Sequence, residues 1–288
     1  MKIILSRKGF DSQYGQIPSP ILSDGTLLSL PIPSKMDPEV KFKDLHHGDL
    51  SYYDIIRMLS PRSSIKENHT CHLDPDIRSE VKERPMERVP SFGQEKAALR
   101  HLQNQNVGIG DVFLFFGWFR QTQYIDNRLV YTPNAPDLHV IYGYFQVGGI
   151  INRMADVPAW LKDHPHVKAD RWNNPNVIFT ASQRLSLCPG LPGAACFQFD
   201  NRLVLTKSGC KRSTWDLPDF FRGISISYNK NSWKVSTFTL SVGKTIKARN
   251  SAATGHLSSL PLSLSGFNFS ACLRILNGSR GRSLKQTF

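Results

Sequence analysis

The chain has no acidic residue after Asp219. Residues 220–288 contain ten Lys and Arg, so the other 26 basic and 23 acidic residues leave a net charge of only +3 in residues 1–219. The formal charge of +13 therefore belongs mostly to the C-terminal quarter. This charge predicts a surface for nucleic acid only if that quarter is native folded protein.

Long hydrophobic runs are absent too. The longest, residues 112–119, is far shorter than the ~20 residues of a membrane-spanning helix. Residues 1–7 contain only three consecutive apolar residues after Lys2, which argues against a targeting segment. The five cysteines are odd in number and lack a Cys-x-x-Cys pair, so neither a disulfide framework nor a zinc ribbon is favoured. We expect a cytoplasmic protein that does not contact a membrane.

An apolar content of 40% is enough for a sizeable core, and we assign residues 1–240 to one domain. Residues 241–288 lose strand alternation and helical periodicity and become a mixture of Ser, Leu, Arg and Gly. The sequence predicts a basic, low-order tail there. The alternative is a frameshift, because a shift of one base near residues 243–255 permits a segment with ordinary charge balance.

The patterns predict an α+β fold. Residues 112–119 and 138–147 are too uniformly apolar for a sheet with one wet face, so we expect central strands that are covered on both sides. The sheet is expected to be mixed and largely buried, or a partly closed barrel, with a few flanking helices. The predicted helices are 52–59 and 94–105, and the other predicted strands are 2–6, 26–32, 176–181, 202–206, 224–228 and 233–240.

A charged loop follows the first predicted strand. Its candidate ligand-binding residues are Ser6, Arg7 and Lys8, with Asp11 as a nearby carboxylate. A glycine-containing loop at a strand end suits a phosphate, with Arg7 as a forked donor and Lys8 as a point charge. The alternative is an ordinary charged turn held by Asp11.

A histidine and two carboxylates follow one another at a spacing of two in His72, Asp74 and Asp76. An extended backbone would place all three side chains on one face, and Pro75 favours that conformation for the residue before it. The group could bind a divalent ion or supply a general base. The alternative is a surface turn.

Aromatic residues and a cation end the strand at 112–119. Bases are commonly held by aromatic faces and arginine planes, so Trp118 and Arg120 are candidates for binding a base. His139 would lie at the same edge if the two central strands pair. The alternative is that these aromatic side chains belong to the core.

His164 and His166 would point the same way in an extended segment, and imidazole is a common metal ligand. Two ligands do not form a site unless His72, Asp74 or His139 converges on them. We therefore predict no metal site, and the sequence identifies no cofactor.

Six separated blocks of the sequence carry a family resemblance: residues 3–12, 18–21 with 24–33, 72–76, 92–94, 110–120 and 139–143. Together they resemble the third nucleotide modification associated domain. The resemblance covers about residues 1–240 and implies a phage or bacterial protein linked to DNA base modification, without an established chemistry. It raises the weight of Arg7, Asp11, His72, Asp74 and Arg120, because a loop motif that defines a family is more often functional than a core motif.

Three functions remain open at this point. The first is an enzyme acting on a nucleotide or a base in DNA, with His72, Asp74, Asp76 and Asp11 as candidate catalytic residues. The second is a non-catalytic module that binds modified bases, and the third is a structural partner of other modification-pathway proteins. A polar pocket that unites Arg7, Asp11, His72 and Asp74 favours the enzyme, whereas an aromatic slot at Trp118 without a carboxylate favours the binding module.

Overall fold

The computed structural model describes residues 1–37 and 39–217, together with the backbone of two short strands at 239–240 and 245–247. The predicted strand 224–228, most of the predicted strand 233–240 and most of the tail at 241–288 lie outside the described residues. No helix in the described part is long and apolar enough to cross a bilayer.

Strands dominate this described part, which contains two α-helices, α1 (Tyr52–Leu59) and α2 (Lys96–Asn104). Short 3₁₀ turns lie at Phe42–Asp44, Met154–Asp156, Ala159–Leu161, Pro165–Val167, Ala169–Asn173 and Asn201–Leu203. The strands are β1 (Ile3–Arg7), β2 (Ser19–Ile21), β3 (Ile32–Pro33), β4 (His46–His47), β5 (Leu50–Ser51), β6 (Cys71–His72), β7 (Ser91–Glu95), β8 (Val112–Ile125), β9 (Arg128–Tyr131), β10 (Leu138–Ile151), β11 (Asn176–Ala181), β12 (Arg184–Leu185), β13 (Cys188–Pro192), β14 (Ala194–Cys196), β15 (Trp215–Asp216), β16 (Thr239–Leu240) and β17 (Thr245–Lys247).

A nine-stranded sheet forms the centre of the fold, with the order β17-β1-β8-β10-β11-β7. Strands β2 and β9 also pair with β8, and β14 pairs with β10. The sheet is mixed, because β8 runs parallel to β1 and β2 but antiparallel to β9 and β10. Its outer strands β17 and β7 do not pair with each other in the described part of the chain. The predicted α+β class and mixed sheet are confirmed, and the sheet is open rather than closed into a barrel.

The two long central strands are covered on both faces, as their uniform apolar sequence predicts. On one face Phe113 and Phe115 of β8 pack edge-on against Phe92, with centroids 4.9 and 5.1 Å away. On the other face Phe116 packs edge-on against Trp215 at 5.0 Å. All of these rings are at most 1% exposed, and burying each contributes about 1.5–3 kcal/mol.

Helix α1 has the predicted bounds for local reasons. The Ser51 hydroxyl accepts from the backbone N–H of Asp54, and the Asp54 carboxylate accepts from the backbone N–H of Ser51. This reciprocal cap satisfies the first turn, and Pro61 disfavours helix at Ser60. Tyr52, Ile55 and Ile56 join a second apolar cluster beside the sheet.

Three predicted elements differ from the structure. Helix α2 begins two residues later than predicted, because Gln94 and Glu95 extend β7 and pair with β11. The predicted strand 26–32 forms only isolated bridges before the short β3, because Leu22 pairs back to Thr26 in a turn. The predicted strand 202–206 starts as a 3₁₀ turn, whose first N–H groups are capped by the Asp200 carboxylate.

Candidate active site

The segment that carries His72 and Asp74 turns sharply after β6. The backbone N–H of Asp74 donates to the carbonyl of His72 at 2.9 Å, and the Asp74–Pro75 peptide bond is cis. His72 and Asp74 stay close together, whereas the Asp76 carboxylate accepts from Arg84 and Arg88, each at 2.7 Å. The structure therefore unites two of the three predicted residues and places Asp76 in a separate buried ion pair.

The Asp74 carboxylate is the centre of the site. Its side chain is 1% exposed, and Lys8 Nζ donates to Oδ2 at 2.6 Å. The backbone N–H of Gly93 donates to Oδ1 at 2.6 Å. Lys8 reaches this point because its backbone N–H continues the pairing of β1 with β8, which places its ammonium 4.3 Å from the centroid of Phe92. Lys8, which was expected to bind a phosphate, and Asp74, a candidate catalytic residue, therefore form one ion pair.

His72 is oriented by a residue that sequence reasoning did not select. Its Nδ1 lies 2.8 Å from Oδ2 of Asp37, and the other oxygen of Asp37 accepts from Arg171 at 2.8 Å. Since a carboxylate only accepts, Nδ1 of His72 carries a proton, and a neutral ring then has its lone pair on Nε2. That Nε2 lies 3.9 Å from Oδ2 of Asp74.

His166 is oriented in the same way by Asn176. The Asn176 amide nitrogen donates to the His166 carbonyl at 2.8 Å, which directs Oδ1 of Asn176 toward Nδ1 of His166 at 2.7 Å. Nδ1 of His166 therefore carries the proton, and Nε2 keeps a lone pair. The ring centroids of His72 and His166 are 5.3 Å apart.

His164 completes the cluster. The backbone N–H of His166 donates to its Nδ1 at 3.2 Å, so a neutral ring carries its proton on Nε2, which lies 3.7 Å from Oδ1 of Asp74. This Nε2 is buried and has no hydrogen-bond partner among the described residues. His164 and His166 were expected to form a site only if His72, Asp74 or His139 converged on them. In the structure both residues lie beside His72 and Asp74.

The charges of the cluster are set by burial and by its ion pairs. Burial raises the pKa of Asp74, but Lys8 and the neighbouring imidazoles outweigh burial and hold that pKa well below its usual range. Burial lowers the pKa of His164 to about 3 and that of His166 to about 4. The site therefore presents an ionised carboxylate beside two neutral imidazoles at physiological pH.

A group of three side chains in this cluster could hold a metal ion. The ligand atoms of His72, Asp74 and His166 all lie within 4.8 Å of one another. The three residues come from β6, from the turn that follows it and from the 3₁₀ turn at Pro165–Val167. Their donor set of two imidazoles and one carboxylate suits divalent transition metals.

A cavity of about 190 Å³ lies beside the cluster. Asp37 and His164 form part of its wall, and Lys162 and Lys168 also line it. This volume is below the ~300–1,000 Å³ typical of small-molecule sites, so it has room for one part of a nucleotide.

Arg7, Trp118, Arg120 and His139 lie on the opposite face of the sheet from Lys8. Arg7 is paired in register with Phe116, which faces Trp215, whereas Lys8 faces Phe92. Nη2 of Arg7 lies 2.9 Å from Oδ2 of Asp11. Arg7 and Asp11 therefore do not join His72 and Asp74, although Arg7 and Lys8 are consecutive.

Trp118 lies under a cation that sequence reasoning did not select. The Arg212 guanidinium carbon is 3.9 Å from the centroid of the Trp118 ring, and Arg212 also contacts the hydroxyl of Ser12. Asp137 is bound by Arg120, with Nη2 2.7 Å from Oδ1, and lies 3.9 Å from Arg212. We call Arg7, Arg120, Arg212 and Trp118 the arginine patch. Trp118 is 8% exposed, so the patch offers cations rather than an open aromatic slot.

Ser6 and His139 are buried. The predicted pairing of the two central strands is present and aligns His139 with Trp118. His139 is 3% exposed, and its Nδ1 accepts from Nε1 of Trp215 at 3.0 Å. Ser6 is 4% exposed within β1.

Asp37, Gly93 and Asn176 contribute to the site without a local signal in the sequence. A Cβ at Gly93 would come within 2.2 Å of the His166 ring, so only glycine leaves room for that imidazole. None of the three residues lies within 15 positions of both His72 and His166, and only the packing of separate segments brings them together.

Comparison with known proteins finds one family. A family model described as nucleotide modification associated domain 3 matches residues 2–253. No curated protein and no solved structure matches the chain. The match extends beyond the resemblance predicted for about residues 1–240.

Proposed function

The chain belongs to the nucleotide modification associated domain 3 family, and we propose that it is an enzyme that acts on a nucleotide or on a base in DNA. Membership places it in nucleotide modification systems. The observation that carries the enzymatic proposal is the surroundings of one buried carboxylate, that of Asp74. Around it converge residues from three separate parts of the chain, namely Lys8, His72, His164 and His166.

The cost of this arrangement supports a functional role. An ionised carboxylate at 1% exposure and a buried imidazole nitrogen with no partner among the described residues both oppose folding unless other interactions compensate. Groups of this kind, with pKa values moved by burial and by specific partners, concentrate at catalytic sites. Apolar side chains would fill the same space at a lower cost.

The residues have distinct proposed roles. Asp74 is the anionic centre, and the Nε2 atoms of His72 and His166 are lone-pair donors held in place by Asp37 and Asn176. Lys8 neutralises Asp74 and is positioned to contact an anionic group of the substrate. A base or phosphate would approach through the cavity that Asp37, His164, Lys162 and Lys168 line.

The arginine patch gives a proposed contact for the DNA backbone. Arg7, Arg120 and Arg212 are 24%, 33% and 27% exposed, so their guanidinium groups can reach a phosphate while their stems stay packed. Arg7 and Lys8 are consecutive. A DNA strand bound at the arginine patch therefore lies close to the end of β1, which also carries Lys8 to Asp74.

The binding-module alternative has less support. Trp118 is covered by Arg212, which also lies 3.9 Å from the Asp137 carboxylate, so this ring does not form an open aromatic slot. The polar cluster around Asp74 would then have no role, whereas the enzymatic proposal uses it.

Mass spectrometry of nucleosides tests the proposal. The full chain is expressed in a bacterial host that also carries phage DNA, and digested DNA and the nucleotide pool are compared with those from cells expressing Asp74→Asn. A nucleoside of changed mass is expected only with the wild-type chain. Asp156→Asn, a substitution at an exposed carboxylate, is the matched control and should keep the change. Identical nucleosides from the wild type and Asp74→Asn would overturn the enzymatic proposal.

A further inference from the structure

Three potential ligand atoms face one another in the cluster around Asp74. Nε2 of His72 has a lone pair in the neutral ring, and it lies 3.9 Å from Oδ2 of the ionised Asp74. Nε2 of His166 also keeps a lone pair, because Nδ1 donates to Asn176. Lys8 binds Oδ2 of Asp74 on one side, and a metal ion among the three atoms would accept the lone pairs of both imidazoles and a second lone pair of that oxygen.

We propose that His72, Asp74 and His166 bind a divalent transition-metal ion through two Nε2 atoms and one carboxylate oxygen. This inference rests on the proposed function and names the group that the catalytic cluster holds. The ligands favour Mn²⁺, Fe²⁺, Co²⁺ or Zn²⁺ over Mg²⁺ and Ca²⁺, which prefer oxygen ligands alone. Three protein ligands leave at least one coordination position for water or substrate.

The distances suit such an ion. Two bonds of about 2.0–2.2 Å span as much as about 4.4 Å. The 3.9 Å between Nε2 of His72 and Oδ2 of Asp74 is within this reach. The three ligand atoms lie within 4.8 Å of one another, so small rotations of the side chains complete the coordination.

The residues around the three proposed ligands orient them as partners of metal ligands commonly do. Metal-binding histidines commonly donate a hydrogen bond from the N–H of their other ring nitrogen to an oxygen of a neighbouring residue. His72 donates in this way to Asp37, and His166 to Asn176. The other carboxylate oxygen of Asp74, Oδ1, accepts from the backbone N–H of Gly93. Nε2 of His164 lies 3.7 Å from the same oxygen. The cluster therefore holds each ligand in one orientation and one tautomer.

Lys8 separates this proposal from a plain ion pair. Its ammonium occupies one lone pair of Oδ2 of Asp74, and a carboxylate oxygen has a second. The ammonium repels a nearby metal ion, so Lys8→Gln should bind the ion more tightly than the wild type. If Lys8 and Asp74 form only an ion pair, Lys8→Gln gains no metal affinity.

Cobalt titration tests the site without any assay of activity. The full chain is treated with a chelator, the chelator is removed, and Co²⁺ is added while visible absorption and heat of binding are recorded. One Co²⁺ per chain is expected. Asp74→Asn and His166→Gln should each lower the affinity by more than about 100-fold, because removal of a direct ligand exceeds the 10–100-fold effect of an outer-shell partner. His69→Gln, at an exposed histidine, is the matched control and should bind like the wild type.

Each result decides the proposal. Absence of Co²⁺ binding by the wild type, or equal binding by the wild type, Asp74→Asn and His166→Gln, would overturn it. If a ligand variant does not fold, ¹⁵N spectra of the wild-type imidazoles decide instead, since Zn²⁺ must shift the Nε2 signals of His72 and His166 and leave that of His69 in place. Unshifted signals would overturn it as well. Metal binding without a changed nucleoside would leave this site standing and refute the enzymatic proposal alone.

Discussion

Nδ1 of His72 lies 2.8 Å from Oδ2 of Asp37, which precedes it by 35 positions. Asp37 is itself held by Ser34 at 2.6 Å and by Arg171 at 2.8 Å, and Arg171 also lies 3.0 Å from Glu95. Burial raises the pKa of Asp37, but these partners, His72 first among them, outweigh burial and hold that pKa well below its usual range. The Asp37 carboxylate that orients the imidazole of His72 is therefore itself held in place by Ser34 and Arg171.

Asp37→Asn tests this relationship. The amide keeps the shape of the side chain but loses the charge that favours a proton on Nδ1 of His72, so the lone pair on Nε2 is no longer secured. We expect the Co²⁺ affinity to fall by about 10–100-fold. Asp156→Asn, at an exposed carboxylate, is the matched control. An affinity equal to that of the wild type would show that Asp37 does not orient a metal ligand.

The Lys8–Asp74 pair should be energetically coupled. Because Asp74 is 1% exposed and Lys8 is 14% exposed, loss of either partner leaves a poorly hydrated charge. Urea unfolding of Lys8→Gln, Asp74→Asn and the double variant in the presence of a chelator should give a coupling of about 1–3 kcal/mol. The solvent-exposed pair Arg153–Asp156 serves as the reference and should give a smaller coupling. Additive effects at Lys8 and Asp74 would contradict the buried pair.

Gly93→Ala should disturb the site directly. An added Cβ would come within 2.2 Å of the His166 ring, so the ring must move away from Asp74. We expect a loss of unfolding free energy of about 1–3 kcal/mol, together with weaker Co²⁺ binding. Gly190→Ala is the matched control, because no atom lies within 4 Å of a Cβ at that exposed position. Unchanged metal binding by Gly93→Ala would mean that His166 is not a ligand.

Stability should fall as the pH falls through the weakly acidic range. Burial lowers the pKa of His139 and His164 to about 3 and that of His166 to about 4. In the unfolded chain these rings take up protons near their ordinary pKa of about 6.5. The unfolded state therefore binds more protons between about pH 6.5 and pH 4, and each ring lowers the unfolding free energy by up to about 1.4 kcal/mol per pH unit.

Urea unfolding of the chelator-treated chain between about pH 7.5 and pH 4.5 measures this slope. His139→Asn keeps an acceptor for the indole N–H of Trp215 but removes one titrating ring, so its slope should be shallower than that of the wild type. Equal slopes for the two proteins would show that His139 is not held neutral by burial.

Arg7→Lys should weaken the binding of DNA. Lysine keeps the charge but loses the forked donor that holds a phosphate through two hydrogen bonds. Titration of a labelled oligonucleotide at fixed salt should show weaker binding by Arg7→Lys than by the wild type, whereas Arg153→Lys, outside the arginine patch, should bind like the wild type. Equal affinities for all three proteins would return Arg7 to the role of a turn residue paired with Asp11.

Elements whose cause is local follow from the sequence alone. The bounds of α1 follow from the Ser51–Asp54 cap and from the proline after Ser60. The uniform apolar sequence of β8 and β10 determined that both strands would be buried on two faces. Of the site, the closeness of His72 to Asp74 and of His164 to His166 could be predicted from their spacing of two, whereas Asp76, at the same spacing from Asp74, turns away to Arg84 and Arg88.

The packing of the whole fold sets which of these groups meet. Lys8 precedes Asp74 by 66 positions, and Asn176, Gly93 and Asp37 complete the site from elsewhere in the chain. It also decided that Arg7 and Asp11 lie on the opposite face of the sheet from Lys8, and that Asp76 pairs with Arg84 and Arg88. Propensity and capping act over a few residues, whereas the distance between side chains on separate segments depends on how strands pair and how turns pack across the sheet.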